Sequence, residues 1–397
     1  MAESWLVIGH QATNSGAPRM LLEVLRGVRA ECGPAWRCKI LLRRGGPLVE
    51  EFARIGEVRV LMHPRAELPG LGAALFRKFV DRPRNEPRRF ARAMEDWRGE
   101  RFDLIYSNTA TNGRLLGALR PLDCPVVTHV HELEYSLKRF VSAATLATTL
   151  ERSDEFIAVS TAVGGDLEKR GVRRERVTVV SNFLAQLPGA GEVGPLRAEL
   201  CGRLGLSRET RLITGCGHID WLKGPDLFVE FAEKVIGRTC VPVAFLWIGG
   251  DTDRRFAAGV RRAVQRRGLQ HAVRFLGPDP DPGRIFGASD IVAVTSRVES
   301  FSLVALEAAA RGRPVLGFAA ARGLQEVLAN EKGLIAVGLD VGAMATAAAR
   351  LLADPEEASR VGGRLRERVA AEFLARRRIP EILSVTDRRR ARRRDHD

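Results

Sequence analysis

Short runs rich in Val, Ile and Leu alternate along this chain with longer amphipathic stretches, and that alternation restricts it to α/β layering on parallel sheets. In the first half the runs are Leu6–Ile8, Lys39–Leu42, Val58–Leu61, Leu104–Tyr106, Val126–His129, Phe156–Val159 and Val177–Val180. In the second half they are Leu212–Gly215, Ala244–Ile248, Val273–Leu276, Ile291–Val294, Val315–Phe318 and Leu334–Val337. Helical periodicity fills most intervals, as over Ala17–Arg29, Asp226–Val235, Arg254–Arg267 and Leu303–Arg311. At 397 residues the chain exceeds what one core usually supports, so two doubly wound domains are expected. Their boundary falls in the Gly- and Pro-rich segment from Ala185 to Pro195. The expected layout is a first domain over 1–184 and a second over 196–371, with a terminal helix over about 372–387 packing back on the first. Open α/β sheets bind ligands at the carboxyl ends of their strands, so the expected site is a cleft shared by the two domains.

Apolar content of 45% with 28% charged residues fits a soluble globular chain. No apolar run reaches the 18 or so residues of a membrane span, and Met1 to Trp5 lacks the pattern of a signal peptide. Six scattered cysteines (Cys32, Cys38, Cys124, Cys201, Cys216, Cys240) form no Cys-x-x-Cys and read as reduced packing residues of a cytoplasmic protein. The balance of 63 basic and 48 acidic residues, +15, points to a phosphate-rich partner: nucleic acid, anionic lipid or a nucleotide. The last eleven residues hold six Arg and three Asp and read as a solvated, frayed tail. No Walker lysine loop, dinucleotide Gly-x-Gly-x-x-Gly or nucleophile triad signature occurs. Asp251-Thr252-Asp253 and Asp279-Pro280-Asp281 have the form of Asp-x-Asp metal motifs, but no metal site is expected at either.

The most informative stretch runs from Asp290 to Phe318. A strand leads through Thr295 to Ser302 into a helix closed by Gly312, with Ser300 or Ser302 as N-cap. The free N–H groups at the start of that helix suit a diphosphate. Glu299 lies before the helix and Glu307 about 7 Å along its axis, which suits hydroxyls at opposite ends of an extended ligand better than a shared proton. Lys223 lies on a glycine-flanked loop after the first strand of the second domain, where an ammonium can meet phosphate oxygens.

Together these elements resemble the retaining glycosyltransferases of family 4 (glycosyl transferases group 1), which have the GT-B fold of two facing Rossmann-like domains. The resemblance rests on Glu299 and Glu307 separated by seven residues, on Ala310-x-Gly312-x-Pro314-Val315 and on Lys223-Gly224-x-Asp226. It also rests on Val273-x-Phe275-Leu276-Gly277, and on Ile157 to Ser160 followed by Val179 to Asn182, all in the family's order over about 155–330. It implies metal-independent transfer of a sugar from a nucleotide-sugar, UDP- or GDP-type, to a hydroxyl of a glycan, lipid-linked or small-metabolite acceptor, with no nucleic acid. Glu299 would hold donor-sugar hydroxyls and Glu307 the ribose. Ser300 belongs to the donor loop, and Phe301, Ser302, Leu303 and Val304 would present backbone groups to phosphate and sugar. Lys223 would neutralise the leaving diphosphate, and the region of Phe275 would take the base. Three positions depart from the pattern: His218 stands where the family has Arg, Ser302 where Gly is common, and Phe183 where Gly usually follows Asn182. His218 keeps two other readings open, a non-transferring nucleotide-sugar enzyme of the same fold or a donor-binding protein with little turnover.

In the first domain the resemblance sets the loop around Gly16 and Ala17 against donor phosphate. His10, and Asn108 and Thr109 after the strand Leu104–Tyr106, are candidate acceptor contacts, and the resemblance sets His131 near the reacting sugar as a further acceptor contact and catalytic candidate. His129 and His131 point the same way from an extended strand, and one of them can equally be a core histidine bonded to a backbone carbonyl. From Leu68 to Arg101 apolar residues interleave with a basic excess, nine basic against five acidic from Arg77 onward. That segment reads either as a contact to an anionic membrane surface, which would make the protein peripheral at the inner face, or as a solvated basic segment.

Overall fold

A computed structural model describes residues 3–62, 86–95, 97, 99–189, 193–329, 331 and 333–394. The chain divides into two compact units, one made of Met1–Ala185 with Ala375–Asp397 and the other of Gln186–Leu374.

Among the described residues the first unit has seven strands: β1 Ser4–Gly9, β2 Arg37–Leu42, β3 Glu57–Val60, β4 Leu104–Ser107, β5 Val126–Val130, β6 Glu155–Ala158 and β7 Val177–Val179. They form one parallel sheet in the order β3-β2-β1-β4-β5-β6-β7. Helices cover both faces of such a sheet, so its central strands are apolar at nearly every position. Trp5, Leu6, Val7 and Ile8 of β1 are completely buried, as are Leu104, Ile105 and Tyr106 of β4. The edge strand β3 is instead partly exposed and charged, with Glu57 paired to Lys39 at 2.9 Å. That composition discourages further strand pairing.

The second unit has, among the described residues, six strands: β8 Arg211–Cys216, β9 Val243–Ile248, β10 Val273–Gly277, β11 Ile291–Val294, β12 Val315–Phe318 and β13 Ile335–Ala336. They too are all parallel, in the order β10-β9-β8-β11-β12-β13. Phe228, Phe231, Phe245 and Trp247 are fully buried together, with ring centroids 5.2–6.3 Å apart. Every strand expected from the apolar runs is present, to within a residue or two at its ends. Two details differ from expectation. The basic terminus is not frayed throughout: helix Ala375–Arg394 continues into it, and Arg388 reaches Thr178 Oγ1 at 2.9 Å. Cys240 is exposed and so takes no part in packing, whereas Cys38, Cys124 and Cys201 are buried.

Helix Ala375–Arg394 belongs to the first unit. Its amide at Ala375 donates to Leu184 O at 2.9 Å, and Ile379, Ile382 and Val385 are buried. Gly27, in helix Gly16–Cys32, is what admits it: a Cβ there would lie 2.4 Å from Ile379 Cγ1. Gly27→Val should therefore overpack this contact and cost about 1–3 kcal/mol. Urea unfolding reads the loss, and an unchanged midpoint would show that the helix is not seated on Gly27.

Candidate functional site

In a doubly wound sheet the ligand crevice opens where the strand order reverses, because the loops leaving two neighbouring strands diverge there to opposite faces. The reversal lies between β8 and β11 in the second unit and between β1 and β4 in the first.

The loop leaving β8 carries Lys223 and the loop leaving β11 carries Glu299. Lys223 Nζ lies 2.8 Å from Glu299 Oε2, and Ser296 Oγ donates to the same oxygen at 3.0 Å. The sequence reading assigns the two residues separate ligand contacts; here they form one ion pair. Its side chains are 29% and 11% exposed, so the pair is shielded from water but reachable. Burial alone would pull the Lys223 ammonium down. Attraction and the hydrogen bond to Glu299, with Asp220 beyond, outweigh it and raise Lys223 above the ordinary 10.5.

The surrounding loops are fixed by a network. Lys223 N donates to Asp220 Oδ1 at 3.0 Å, Thr295 Oγ1 to Lys223 O at 3.2 Å and Arg297 N to Leu222 O at 2.8 Å. Arg297 grips Asp226 through two bonds of 2.8 and 2.6 Å and lies over the Trp221 ring, 5.1 Å from its centroid. Gly224, at φ +64°, lets the β8 loop come so close that a Cβ would lie 2.2 Å from Thr295 O.

Ser302 is the N-cap of helix Leu303–Ala310, accepting from Ala305 N at 3.2 Å. Its φ of −90° needs no glycine, which explains how serine serves where the family commonly has Gly. Phe301 is buried with its ring 5.9 Å from Phe373, so only its backbone is available to a ligand. Ser300, Leu303 and Val304 are half-buried, and Glu307 is 8% exposed one turn into the helix. Gly323 N holds Glu299 O at 2.8 Å, a contact sequence reasoning missed. His218 is exposed in the β8 loop. Phe275 on β10 is half-buried beneath Arg261, whose guanidinium is 5.6 Å from the ring and chelated by Asp251 at 2.9 and 2.8 Å. Asp253 caps helix Arg254–Arg266 through Arg255 N and Phe256 N, so that Asp-x-Asp sequence serves local structure. Among the described residues no group of three or more His, Cys, Asp or Glu is placed to hold a metal ion.

In the first unit the loops leaving β1, β4 and β5 bring His10, Asn108, Thr109 and His131 to the carboxyl edge of the sheet. Asn108 Nδ2 donates to Ala17 O at 3.0 Å, which fixes its amide and leaves Oδ1 to accept from His131 Nε2 at 2.9 Å. His131 therefore carries its proton on Nε2, and its ring lies 4.4 Å from that of His129. Ala17 is half-buried in the first turn of helix Gly16–Cys32, while Gly16 is exposed. His129 is the core histidine of the pair, but its partner is a phenol and not the backbone carbonyl that was one expected reading. Its Nδ1 meets Tyr106 Oη at 2.8 Å. Glu132 was not singled out from sequence, yet it organises the site by accepting from Thr109 Oγ1, Ala110 N and His131 N. Its signal was position alone, one residue past the second histidine at a strand's end. Most of the Leu68–Arg101 segment lies outside the described residues; helix Glu86–Glu95 is within them.

Burial lowers the pKa of His10 to about 4, helped by Arg44 and Arg43, and that of His129 to about 3. Burial also takes His131 well below 6.5, with His129 and His10 adding to it. Because the folded state holds His129 neutral, the unfolded chain binds the extra proton. Stability is then complete above pH 6.5 and falls as pH drops toward about 3, with a slope near 1.4 kcal/mol per unit from His129 alone. His129→Gln should flatten the acid limb of urea midpoint against pH; an identical limb would contradict a buried neutral imidazole.

Two family models match the chain: "Glycosyl transferases group 1" over residues 210–354 and "Glycosyltransferase Family 4" over residues 41–184. Among curated relatives, a D-inositol 3-phosphate glycosyltransferase of Gordonia bronchialis is 30% identical over 66% of this chain and 60% of its own length. That of Corynebacterium urealyticum is 36% identical over 39% and 38%. The matches thus span about two to three fifths of these relatives' length. Among solved structures, Anabaena HepE in complex with UDP-glucose superposes with a TM-score of 0.75 at 19% identity, over 96% of this chain and 99% of that one. A Rickettsia africae glycosyltransferase gives 0.74 at 17%, over 98% and 99%. With both of its sheets doubly wound and each family model falling on one unit, the chain belongs to the family 4, group 1 glycosyltransferases of GT-B fold.

Proposed function

We propose that this protein transfers a sugar from a nucleotide-sugar to an acceptor hydroxyl, with the donor held by the second unit. The observation that carries this reading is the Lys223–Glu299 pair at the β8/β11 reversal, beside the Ser302-capped helix. The helix start and Lys223 together offer N–H groups and a cation to a diphosphate. The Glu299 carboxylate, already aligned by Ser296 and Lys223, can accept from sugar hydroxyls, and Glu307 from a ribose diol. HepE was crystallised with UDP, and with UDP-glucose, which makes UDP-glucose the first donor to test.

The proposed reaction breaks the bond from the anomeric carbon to the phosphate oxygen and forms one to the acceptor oxygen on the same face, so configuration is retained. Lys223 compensates the charge on the departing diphosphate, in place of a metal. His131 is a poor base with its pKa so far down, so its Nε2–H, held by Asn108, serves to orient. The acceptor proton passes to the departing phosphate oxygen. His10, Asn108 and Thr109 are the proposed acceptor contacts; glycan, lipid-linked and small-metabolite acceptors all fit such a hydroxyl-binding set. D-inositol 3-phosphate heads the acceptor panel because curated relatives carry it in their name.

Incubation with a donor and acceptor panel, with the product's anomeric configuration read by NMR, tests the reading. Donor breakdown without transfer would favour a non-transferring enzyme, and binding alone a donor-binding protein. Glu299→Gln and Lys223→Ala should each lower transfer by about two orders of magnitude or more with the fold kept; near-parental rates in both would remove the site. His131→Asn should lower the rate without changing its pH profile between about 6 and 8, whereas a shifted profile would make His131 the base. We place the protein in the cytoplasm. Membrane attachment rests on the sequence of 68–101, since the described residues include no helix long and apolar enough to cross a bilayer. Salt-sensitive co-sedimentation with anionic vesicles would support that attachment, and no binding at low salt would end it.

A further inference from the structure

The second unit contains a cavity of about 200 Å³ at the edge of its sheet opposite to Lys223 and Glu299. Arg211 opens β8, Asp290 immediately precedes β11 and Arg313 stands two residues before β12, so the cavity sits at the amino ends of three adjacent strands. Leu351, Pro355 and Ser359 form its other wall.

The charges there do not balance. Asp290 is the one carboxylate lining the cavity, and both of its oxygens are taken. Oδ2 accepts from Arg197 Nη2 at 2.9 Å and from Leu212 N at 2.7 Å, and Oδ1 from Arg211 Nη1 at 3.1 Å. Arg197 is further occupied by Ala288 O and Thr210 O. Arg313 remains. Its Nε is enclosed without a hydrogen-bond partner, and its guanidinium makes no ion pair among the described residues. Burial lowers its pKa, only partly offset by Asp290, yet a guanidinium stays charged at any physiological pH. Two guanidiniums, Arg211 and Arg313, and one carboxylate line the space, and the third guanidinium, Arg197, stands behind Asp290, so positive charge is in excess beside it. A desolvated cation without a partner is strongly unfavourable, so an anion filling the space would relieve it.

Size and charge narrow the ligand. At roughly 30 Å³ per water the cavity holds six or seven waters' worth of space, enough for a phosphoryl group with a few further atoms and too little for a nucleotide. The excess of positive charge calls for an anion, and the planar fork of arginine matches phosphate oxygens. We propose that this cavity is a phosphate-binding site, held by Arg313 with Arg211 and the Ser359 hydroxyl, for inorganic phosphate or the phosphate of a small ester. An anion there would tie the amino ends of β8 and β11, the strands whose other ends carry Lys223 and Glu299.

Calorimetric titration of the full chain with inorganic phosphate and with glucose 6-phosphate, at matched ionic strength in chloride, tests this without reference to transfer. The parent and Lys223→Met should bind with equal Kd, and Arg313→Met should weaken binding about tenfold or more. Ser359→Glu, an exposed helix position, should abolish it by supplying a carboxylate in place of the ligand, which keeps the test decisive should Arg313→Met fold poorly. Tighter binding of the ester would identify an ester site, and equal binding a site for the phosphate group alone. No binding to the parent, binding retained in both Arg313→Met and Ser359→Glu, or binding lost in Lys223→Met would each overturn the proposal.

Discussion

Parallel pairing of β8 with β11, and of β1 with β4, is the constraint from which the functional geometry of each unit follows. A parallel pair cannot be joined by a tight turn, so each strand must hand the chain to a helix and recover it at the sheet's far edge. Where the winding reverses, two such departures diverge and leave their loops side by side. Lys223 and Glu299, 76 residues apart in sequence, meet for this reason. In the first unit the reversal between β1 and β4 brings Asn108 to Ala17, and Asn108 in turn holds His131 from the loop after the adjacent strand β5.

The two edges of the second sheet show how one architecture produces different electrostatics. At the carboxyl edge a lysine and a glutamate neutralise one another, and helix Leu303–Ala310 adds the positive end of its dipole. Under the proposed function a bound diphosphate would compete with Glu299 for Lys223, leaving the carboxylate to Ser296 and the hydroxyls of the donor. At the amino edge Asp290 is outnumbered by arginines, and Arg313 Nε is left without a hydrogen-bond partner.

Much of this was legible in sequence because strand cores in parallel sheets must be apolar on both faces. Runs such as Ile291–Val294 announce themselves and fix where the following loop lies. The role of Ser302 could be read from capping chemistry. What could not be read were contacts between distant segments. Neither the Ser296 bond to Glu299, nor the Tyr106 phenol on His129, nor Glu132 bracing Thr109 leaves any periodicity or spacing behind. Asp251 and Asp253 carried a motif whose chemistry is spent on Arg261 and a helix cap, which only the folded chain reveals. The cavity beside Arg313 had no sequence signal, since Arg211, Asp290 and Arg313 are ordinary charged residues until three strand ends converge.

Helix Ala375–Arg394 belongs to the first unit although the whole second unit intervenes in the chain. The second unit is therefore an insertion within the first, and all of its residues are made before those of the helix that completes the first. Until Ile379, Ile382 and Val385 emerge, the surface around Gly27 remains open apolar ground. The part begun first is thus completed last, and waits for its final helix until the whole of the second unit has been made.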